Sequence, residues 1–433
     1  MQHHYDVIIM GAGPAGSTAA ILLARAGWSV ALVEKQAFPR RKVCGECIAA
    51  SNLPLLDAVG LGARFEACAG PELRRVAFMQ GKDTIVADLP AFDHVKYAWG
   101  RALGRETLDS LLLAQAQAAG AAILQPWSVR SIGGSAGDFS CVVRAVDSHQ
   151  TAILRAPLFI SAQGSWEISP WTRMDHSRKL QSSDLLAFKA NFSGAALDAG
   201  LLPVISFRGG YGGMVIADQG LLTIACCIRA DRLESVRRAA PGSSAGGAVV
   251  DMLKRECAGV AVVLQDARRE EAWLAAGPLH PGIHFNSNDA VFRIGNAAGE
   301  AHPIIGEGMS MAMQSAWILC AHLVRAGAPR GQRLSAATQR QIRALYTAEW
   351  RHAFTHRLRL AAVFAHVAMY PSVFSPPLSL MRHFAPLLNY AAKLSGKVSS
   401  VLDDALVASL AAGEAHPHLM QALTTPGDIK QAS

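Results

Sequence analysis

The stretch that most constrains this chain is Gly11-Ala12-Gly13-Pro14-Ala15-Gly16. It follows an apolar run from Asp6 to Met10 and opens a helical pattern that carries through Ala24 and stops near Gly27. A second apolar run, Ser29 to Val33, comes next, so the opening reads as strand, glycine turn, helix and strand. In that setting each glycine has its own steric duty: Gly11 permits the tight turn, Gly13 lets backbone approach a pyrophosphate, and Gly16 lets the helix pack closely. The first amides of the helix then face the negative charge. Glu34 closes the second strand near the roughly 20-residue spacing at which an acid binds an adenosine ribose. Pro14, Ala15 and Lys35 fall inside the same binding segment. The motif alone leaves NAD and FAD both open.

At 433 residues the chain exceeds what one hydrophobic core serves, so two or more structural units are expected. With 51% hydrophobic and 17% charged residues, the composition excludes a largely disordered chain. Met1 to Met10 lacks a basic start followed by a long apolar run, which predicts no secretory signal and a cytoplasmic protein. The apolar stretch Leu360 to Leu380 is broken by His366, Pro371, Pro376 and Pro377, against a span of about 20 residues. The eight cysteines are scattered, so reduced thiols are expected. Cys44-Gly45-Glu46-Cys47 also admits a redox pair or half a zinc site, but no second paired set or other metal-ligand cluster accompanies it. The net charge of +8 favours anionic ligands, and no nucleic-acid motif appears.

Further along, Thr107 to Ala119 has a helical pattern and Ile153 to Ile160 reads as one extended segment returning to the first sheet. Leu185 to Phe192, Met214 to Ala217 and Leu222 to Ile228 read as short antiparallel strands. A strand at Ala290 to Ile294, a glycine turn and a helix from Met309 to Ala326 resume the opening pattern. From Leu334 onward the chain reads as helical, with Arg340, Arg343, Arg351, Arg357 and Arg359 predicting a solvated basic face or a docking surface for an acidic partner or a membrane surface. Ser131 to Gly137 and Pro241 to Gly247 read as flexible loops. The predicted division is a discontinuous nucleotide-binding domain (1–70, 100–170 and 285–333), a β-rich substrate domain (71–99 and 171–284) and a helical C-terminal region (334–433).

Several segments together resemble the flavoprotein group of aromatic hydroxylases, flavin-dependent halogenases and geranylgeranyl reductases. The likeness is carried mainly by the first 50 residues and by Ala290 to Ala316. It implies an α/β fold with a Rossmann-like FAD-binding domain of the p-hydroxybenzoate hydroxylase type. Pro39-Arg40-Arg41-Lys42-Val43-Cys44-Gly45-Glu46 resembles the loop in which Lys-x-Cys-Gly lies beside the flavin and the preceding basic residues approach FAD, implicating Arg41, Cys44, Gly45 and Glu46. Arg105 opens a segment similar to the helix whose first arginine contacts the FAD pyrophosphate, a role suited to a guanidinium; the alternative is an ordinary exposed arginine. Gly295-Asn296 resembles a Gly-Asp motif that binds the ribityl chain, with Asn in place of Asp, and an amide still hydrogen-bonds hydroxyls. His302, Gly306, Gly308 and Met309 continue that pattern toward the flavin ring, where backbone N–H groups would stabilise negative charge on reduced flavin.

The likeness has departures. Ala162-Gln163-Gly164 stands where hydroxylases carry Asp-Gly, which leaves the electron donor open between NAD(P)H and a reductase partner. Trp166 to Trp171 contains halogenase-like letters in a different order. Gly209 to Met214 resembles a stretch between substrate sheet and flavin, so Tyr211 either lines the pocket or is incidental to a hairpin. Cys44, Tyr211 and His302 are the candidate catalytic residues. The expected activity is an FAD-dependent monooxygenase acting on an apolar or aromatic small molecule, free or carrier-bound. The alternatives are a geranylgeranyl-reductase-like enzyme, a halogenase, and a flavin-binding protein without catalysis.

Overall fold

The computed structural model describes residues 2–164, 179–285, 290–327, 334–371, 400–402 and 406–408. The halogenase-like letters at Trp166 to Trp171, and most of the C-terminal region beyond Pro371, lie outside the described residues. Two sheets dominate. The first has five strands in the order Phe292–Arg293, Leu158–Ser161, Val7–Met10, Val30–Val33 and Ala122–Leu124, all parallel. Its central strands are buried on both faces, which explains why they read as unbroken apolar runs rather than alternating ones. Val7, Ile9, Val30 and Leu32 pack with helices Pro14–Arg25, Arg105–Ala118 and Gly308–Arg325. Ile8, Met10, Ala31 and Val33 point the other way, onto Phe139, Cys141, Val143 and Leu154 of a second, four-stranded sheet. The result is three layers built on strand periodicity.

Two readings of this region are corrected. The Ile153 to Ile160 segment is two strands, Thr151–Ala156 and Leu158–Ser161, which lie in different sheets. Ser131 to Gly137 is the tip of a hairpin joining Trp127–Ser135 to Asp138–Ala145. Its glycines suggest a loop, but the antiparallel ladder pairs Gly133 with Ser140 and Gly134 with Phe139.

The other large sheet has eight strands, with Leu185–Ser193, Leu222–Arg229, Gly210–Ile216, Leu201–Phe207, Arg75–Gln80 and Asp83–Asp88 as neighbours in that order. It is antiparallel except where Leu201–Phe207 pairs in parallel with Arg75–Gln80. That joint connects segments far apart in the chain, so no hairpin dictates its direction. Leu186, Phe188, Ala190 and Phe192 project toward helices Ala230–Ala239, Ala245–Glu256 and Ala258–Val263, which the sequence reading missed. The Pro241 to Gly247 stretch ends inside the second of these, where the Ser244 hydroxyl accepts from Gly247 N–H at 3.1 Å as an N-cap. Leu185, Ala187 and Lys189 face the opposite side.

The helix Ala336–Ala368 runs behind helix Gly308–Arg325 and ends over the eight-stranded sheet. Ser206 Oγ donates to Ala368 O at 2.7 Å and Gly209 N–H to Met369 O at 2.9 Å, fixing its last turn there. The predicted solvated arginine face is only partly so: Arg340, Arg351 and Arg359 are exposed, whereas Arg357 is buried and donates to Gln314 Oε1 at 3.0 Å. Trp350 is 1% exposed and stacks edge-on with Phe285 and Phe354. Among the described residues no helix is long and apolar enough to cross a membrane. Trp350→Ala is expected to cost about 3–5 kcal/mol of stability; a denaturant midpoint unchanged from wild type would contradict this packing.

Candidate functional site

The glycine turn sits at the carboxyl edge of the parallel sheet. Gly11 has φ +100°, and a Cβ there would stand 2.7 Å from Ala162 O at the end of the adjacent strand. A Cβ on Gly16 would stand 1.8 Å from Gly11 O, so any side chain pushes the helix off the strand. The helix begins at Pro14 with no side-chain cap and no acid in its first turn, which leaves its first amides available to an anion. A Cβ at Gly13 would meet the Nη2 atoms of Arg105 at 3.7 Å and Arg40 at 3.8 Å, so two guanidinium groups converge beside the helix start.

Neighbouring carboxylates hold those arginines. Asp109 accepts from Arg105 Nε at 2.8 Å and Nη2 at 2.6 Å, a planar two-point pair one helical turn apart. Arg40 lies 3.6 Å from both Glu34 Oε1 and Asp109 Oδ2, and its buried Nε has no hydrogen-bond partner. Glu34 is buried and accepts from Ala12 N–H and Gln36 N–H, each at 2.9 Å.

A second glycine turn faces the first. Gly295 has φ +58°, and a Cβ there would stand 2.9 Å from Ala15 Cβ. Gly306 has φ +66° and leads into helix Gly308–Arg325, whose first residue has no atom within 4 Å of where its Cβ would be. Between the two turns runs a cavity of about 380 Å³. Gly11, Gly13, Pro14, Ala15, Glu34 and Arg105 line one end of it, and Gly164, Gly295, Asn296, Gly306, Gly308 and Met309 line its flank. Cys44, Gly45, Glu46 and Tyr211 line it as well. The far wall is apolar: Val76, Phe78, Leu202, Val204 and Met214 from the eight-stranded sheet and Phe364 from helix Ala336–Ala368.

Four sequence-derived candidates lie outside this wall. Gly16 is behind the turn, where it sets the helix–strand approach. Lys35 is exposed. Arg41 turns away to pair with Glu271 and donates to Ala272 O at 3.2 Å. His302 sits one residue layer back, its Nδ1 3.2 Å from the Tyr211 hydroxyl. Arg40 and Lys42 do line the cavity, as the likeness of this loop implied, whereas Arg41, the basic residue singled out there, does not. The Arg40-Arg41-Lys42 run signalled positive charge at this loop, but nothing in it shows which members turn inward.

Glu46 is the polar joint of the site. It has φ +58° and is 1% exposed. Its carboxylate accepts from Lys189 Nζ and Thr223 Oγ1 of the eight-stranded sheet, and from Arg105 N–H at 3.1 Å. The loop that carries Cys44 is thereby tied to both halves of the cavity wall.

Burial pushes the Tyr211 phenol well above its ordinary range, with Cys227 and Glu300 adding to the effect. Burial lowers His302 to about 4, assisted by His366, so its imidazole is neutral at pH 7. Because the folded protein resists protonating His302 while the unfolded chain accepts a proton near 6.5, this residue withdraws stability as pH falls from about 6.5 to 4. His302→Gln is expected to flatten the melting temperature in that window; an unaltered slope would contradict it.

The cradle that a Cβ would fill, the open helix amides and the Arg40 Nε, buried without a hydrogen bond 3.6 Å from Asp109, all fit the pyrophosphate and ribose of FAD. Gly16→Ala is expected to abolish flavin retention, and Arg40→Ala and Arg105→Ala each to weaken FAD affinity at least tenfold, while Arg41→Ala stays within about threefold. Equal losses for Arg40→Ala and Arg41→Ala in a flavin-fluorescence titration would refute this assignment.

Residues 4–345 match the family model described as FAD binding domain. The tryptophan 2-halogenase of Chondromyces crocatus is 35% identical over 119 residues, 28% of this chain and 22% of that relative, so the match spans less than a quarter of its length. A probable FAD-dependent monooxygenase from Pseudomonas aeruginosa superposes with a TM-score of 0.66 at 17% identity, covering 87% of this chain and 100% of that one. A geranylgeranyl bacteriochlorophyll reductase-like protein from Thermoplasma acidophilum gives a TM-score of 0.65 at 16% identity, covering 95% and 96%. At such identities the superpositions speak for the fold, which is the Rossmann-like α/β fold of the p-hydroxybenzoate hydroxylase type. With most of its length inside the family match, this chain belongs to the FAD binding domain family.

Proposed function

We propose that this protein is an FAD-dependent monooxygenase that hydroxylates or oxidises a small apolar or aromatic molecule. The observation that carries the reading is the continuity of one cavity, from the glycine-and-arginine cradle to the apolar face of the eight-stranded sheet. Gly306, Gly308 and Met309 would hold the redox ring of such a cofactor, and Val76, Phe78, Val204 and Met214 line the same cavity. Such a wall desolvates an apolar substrate and keeps water from the reacting atoms. The division into a discontinuous FAD-binding domain, a β-rich substrate domain and a helical C-terminal region belongs to the same proposal.

Bound FAD supplies two-electron redox chemistry and, when reduced, activation of dioxygen. The chain supplies the rest. Arg40 and Arg105 hold the anion, Glu34 and Asn296 offer hydrogen bonds to hydroxyls, and the start of helix Gly308–Arg325 favours negative charge beside it. The overall reaction takes a substrate C–H bond, dioxygen, NAD(P)H and a proton to the alcohol, water and NAD(P)⁺. Where no nicotinamide binds directly, a reductase partner delivers the same two electrons from NAD(P)H.

Cys44 favours a second reading, reduction or dehydrogenation of a lipid carbon–carbon bond. It lines the cavity, and its Sγ accepts from Glu46 N–H at 3.4 Å. Oxygen dependence separates the two. The monooxygenase is expected to consume one dioxygen per product and to place one atom of labelled dioxygen in it. Product of unchanged oxygen content formed at full rate without air would reject this reading in favour of the second.

A further inference from the structure

A second cavity of about 470 Å³ lies behind the first, lined by His302, Ala362, Val363, His366, Val367 and Met369. Val367 belongs to the walls of both cavities. His366 is exposed. His302 is half-buried and its Nδ1 is 3.2 Å from the hydroxyl of Tyr211, a residue of the main cavity wall that is itself 1% exposed. Three titratable side chains thus step from solvent to the main cavity, from helix Ala336–Ala368 through the turn before Pro303 to the eight-stranded sheet.

We propose that His366, His302 and Tyr211 form a proton relay that carries protons from solvent into the main cavity. This rests on the proposed function, since both hydroxylation and reduction consume protons in a pocket walled against water. In one passage the Tyr211 O–H bond breaks as its proton enters the main cavity. The Nδ1–H of His302 restores the hydroxyl, and Nε2 takes a proton from the second cavity, supplied by His366 or water. The imidazole ends as the other neutral tautomer and resets by exchange with solvent.

The surroundings favour such a neutral passage. Burial around Tyr211, with Cys227 hydrogen-bonded to it and Glu300 near, disfavours a tyrosinate, and burial with His366 opposite disfavours an imidazolium at His302. Tyr370, whose ring lies 5.0 Å from that of His366, packs at the outer end, and its hydroxyl accepts from Arg229 Nη1 at 3.1 Å, with Asp231 paired to the same guanidinium. A concerted hop avoids both charged states, so the relay leaves no ion in the low-dielectric wall.

The test uses the FAD-bound protein with its flavin reduced anaerobically and then mixed with dioxygen. That reaction takes anionic reduced flavin, dioxygen and one proton to oxidised flavin and hydrogen peroxide. Tyr211→Phe and His302→Gly are expected to slow it about 10²-fold, the scale of a lost general acid. Added imidazole is expected to restore the His302→Gly variant through the second cavity, and to leave Tyr211→Phe slow. Nitrogen NMR of histidine in the resting, oxidised protein is expected to show a proton on His302 Nδ1 that exchanges with solvent. His302→Gln, which retains side-chain volume, guards against a folding defect. Variants with normal flavin absorbance that react at the wild-type rate, no imidazole rescue, or an Nδ1 without a proton would each overturn the relay alone. Failure of the wild-type protein to take up flavin would overturn the functional reading and the relay with it.

Discussion

The contact between Gly16 and the backbone of Gly11 is the constraint on which the rest of the structure depends. It lets helix Pro14–Arg25 start directly above the end of strand Val7–Met10, with no side chain between them. That closeness brings the helix amides to the sheet edge and seats Gly11 against Ala162 O. The arginines at positions 40 and 105, the acid at 34 and the second turn at Gly295 are then arranged around one point in space. An anion there meets amides and guanidinium groups prepositioned by carboxylates, so little reorganisation is needed on binding.

A second device couples this cradle to the substrate wall. Lys189 and Glu46 are both buried, and burying such a pair costs desolvation that its own attraction only roughly offsets. Its value here is positional. Lys189 lies on the cavity side of the eight-stranded sheet, Glu46 on the loop after Cys44, and Arg105 N–H bonds the same carboxylate. One carboxylate thus joins the sheet to the backbone of the arginine that faces the cradle.

Much of this was legible in the sequence where local chemistry dictates geometry. The opening strand, turn, helix and strand are present, and helix Gly308–Arg325 and strand Leu185–Ser193 lie within a residue or so of the expected bounds. The misreadings share a cause: partners distant in sequence decide them. Nothing local at Pro157 announces that Thr151–Ala156 and Leu158–Ser161 part into separate sheets. The hairpin around Gly137 looks like a loop because its pairing, not its composition, makes it a strand. Arg40 and Arg41 are chemically alike, and it is Glu271 and the carbonyl of Ala272 across the fold that hold Arg41 outward. Arg357 reads as part of a basic surface until Gln314, which donates to Asn52 Oδ1 deep in the core, supplies a buried partner.

The cradle is built for FAD rather than for a nicotinamide dinucleotide. The most direct measurement is mass identification of the small molecule released when the purified, full-length protein is denatured, with its molar ratio to chain. The structure predicts FAD at one per chain. Release of NAD(P), or a colourless protein that takes up no FAD when it is supplied, would contradict the account.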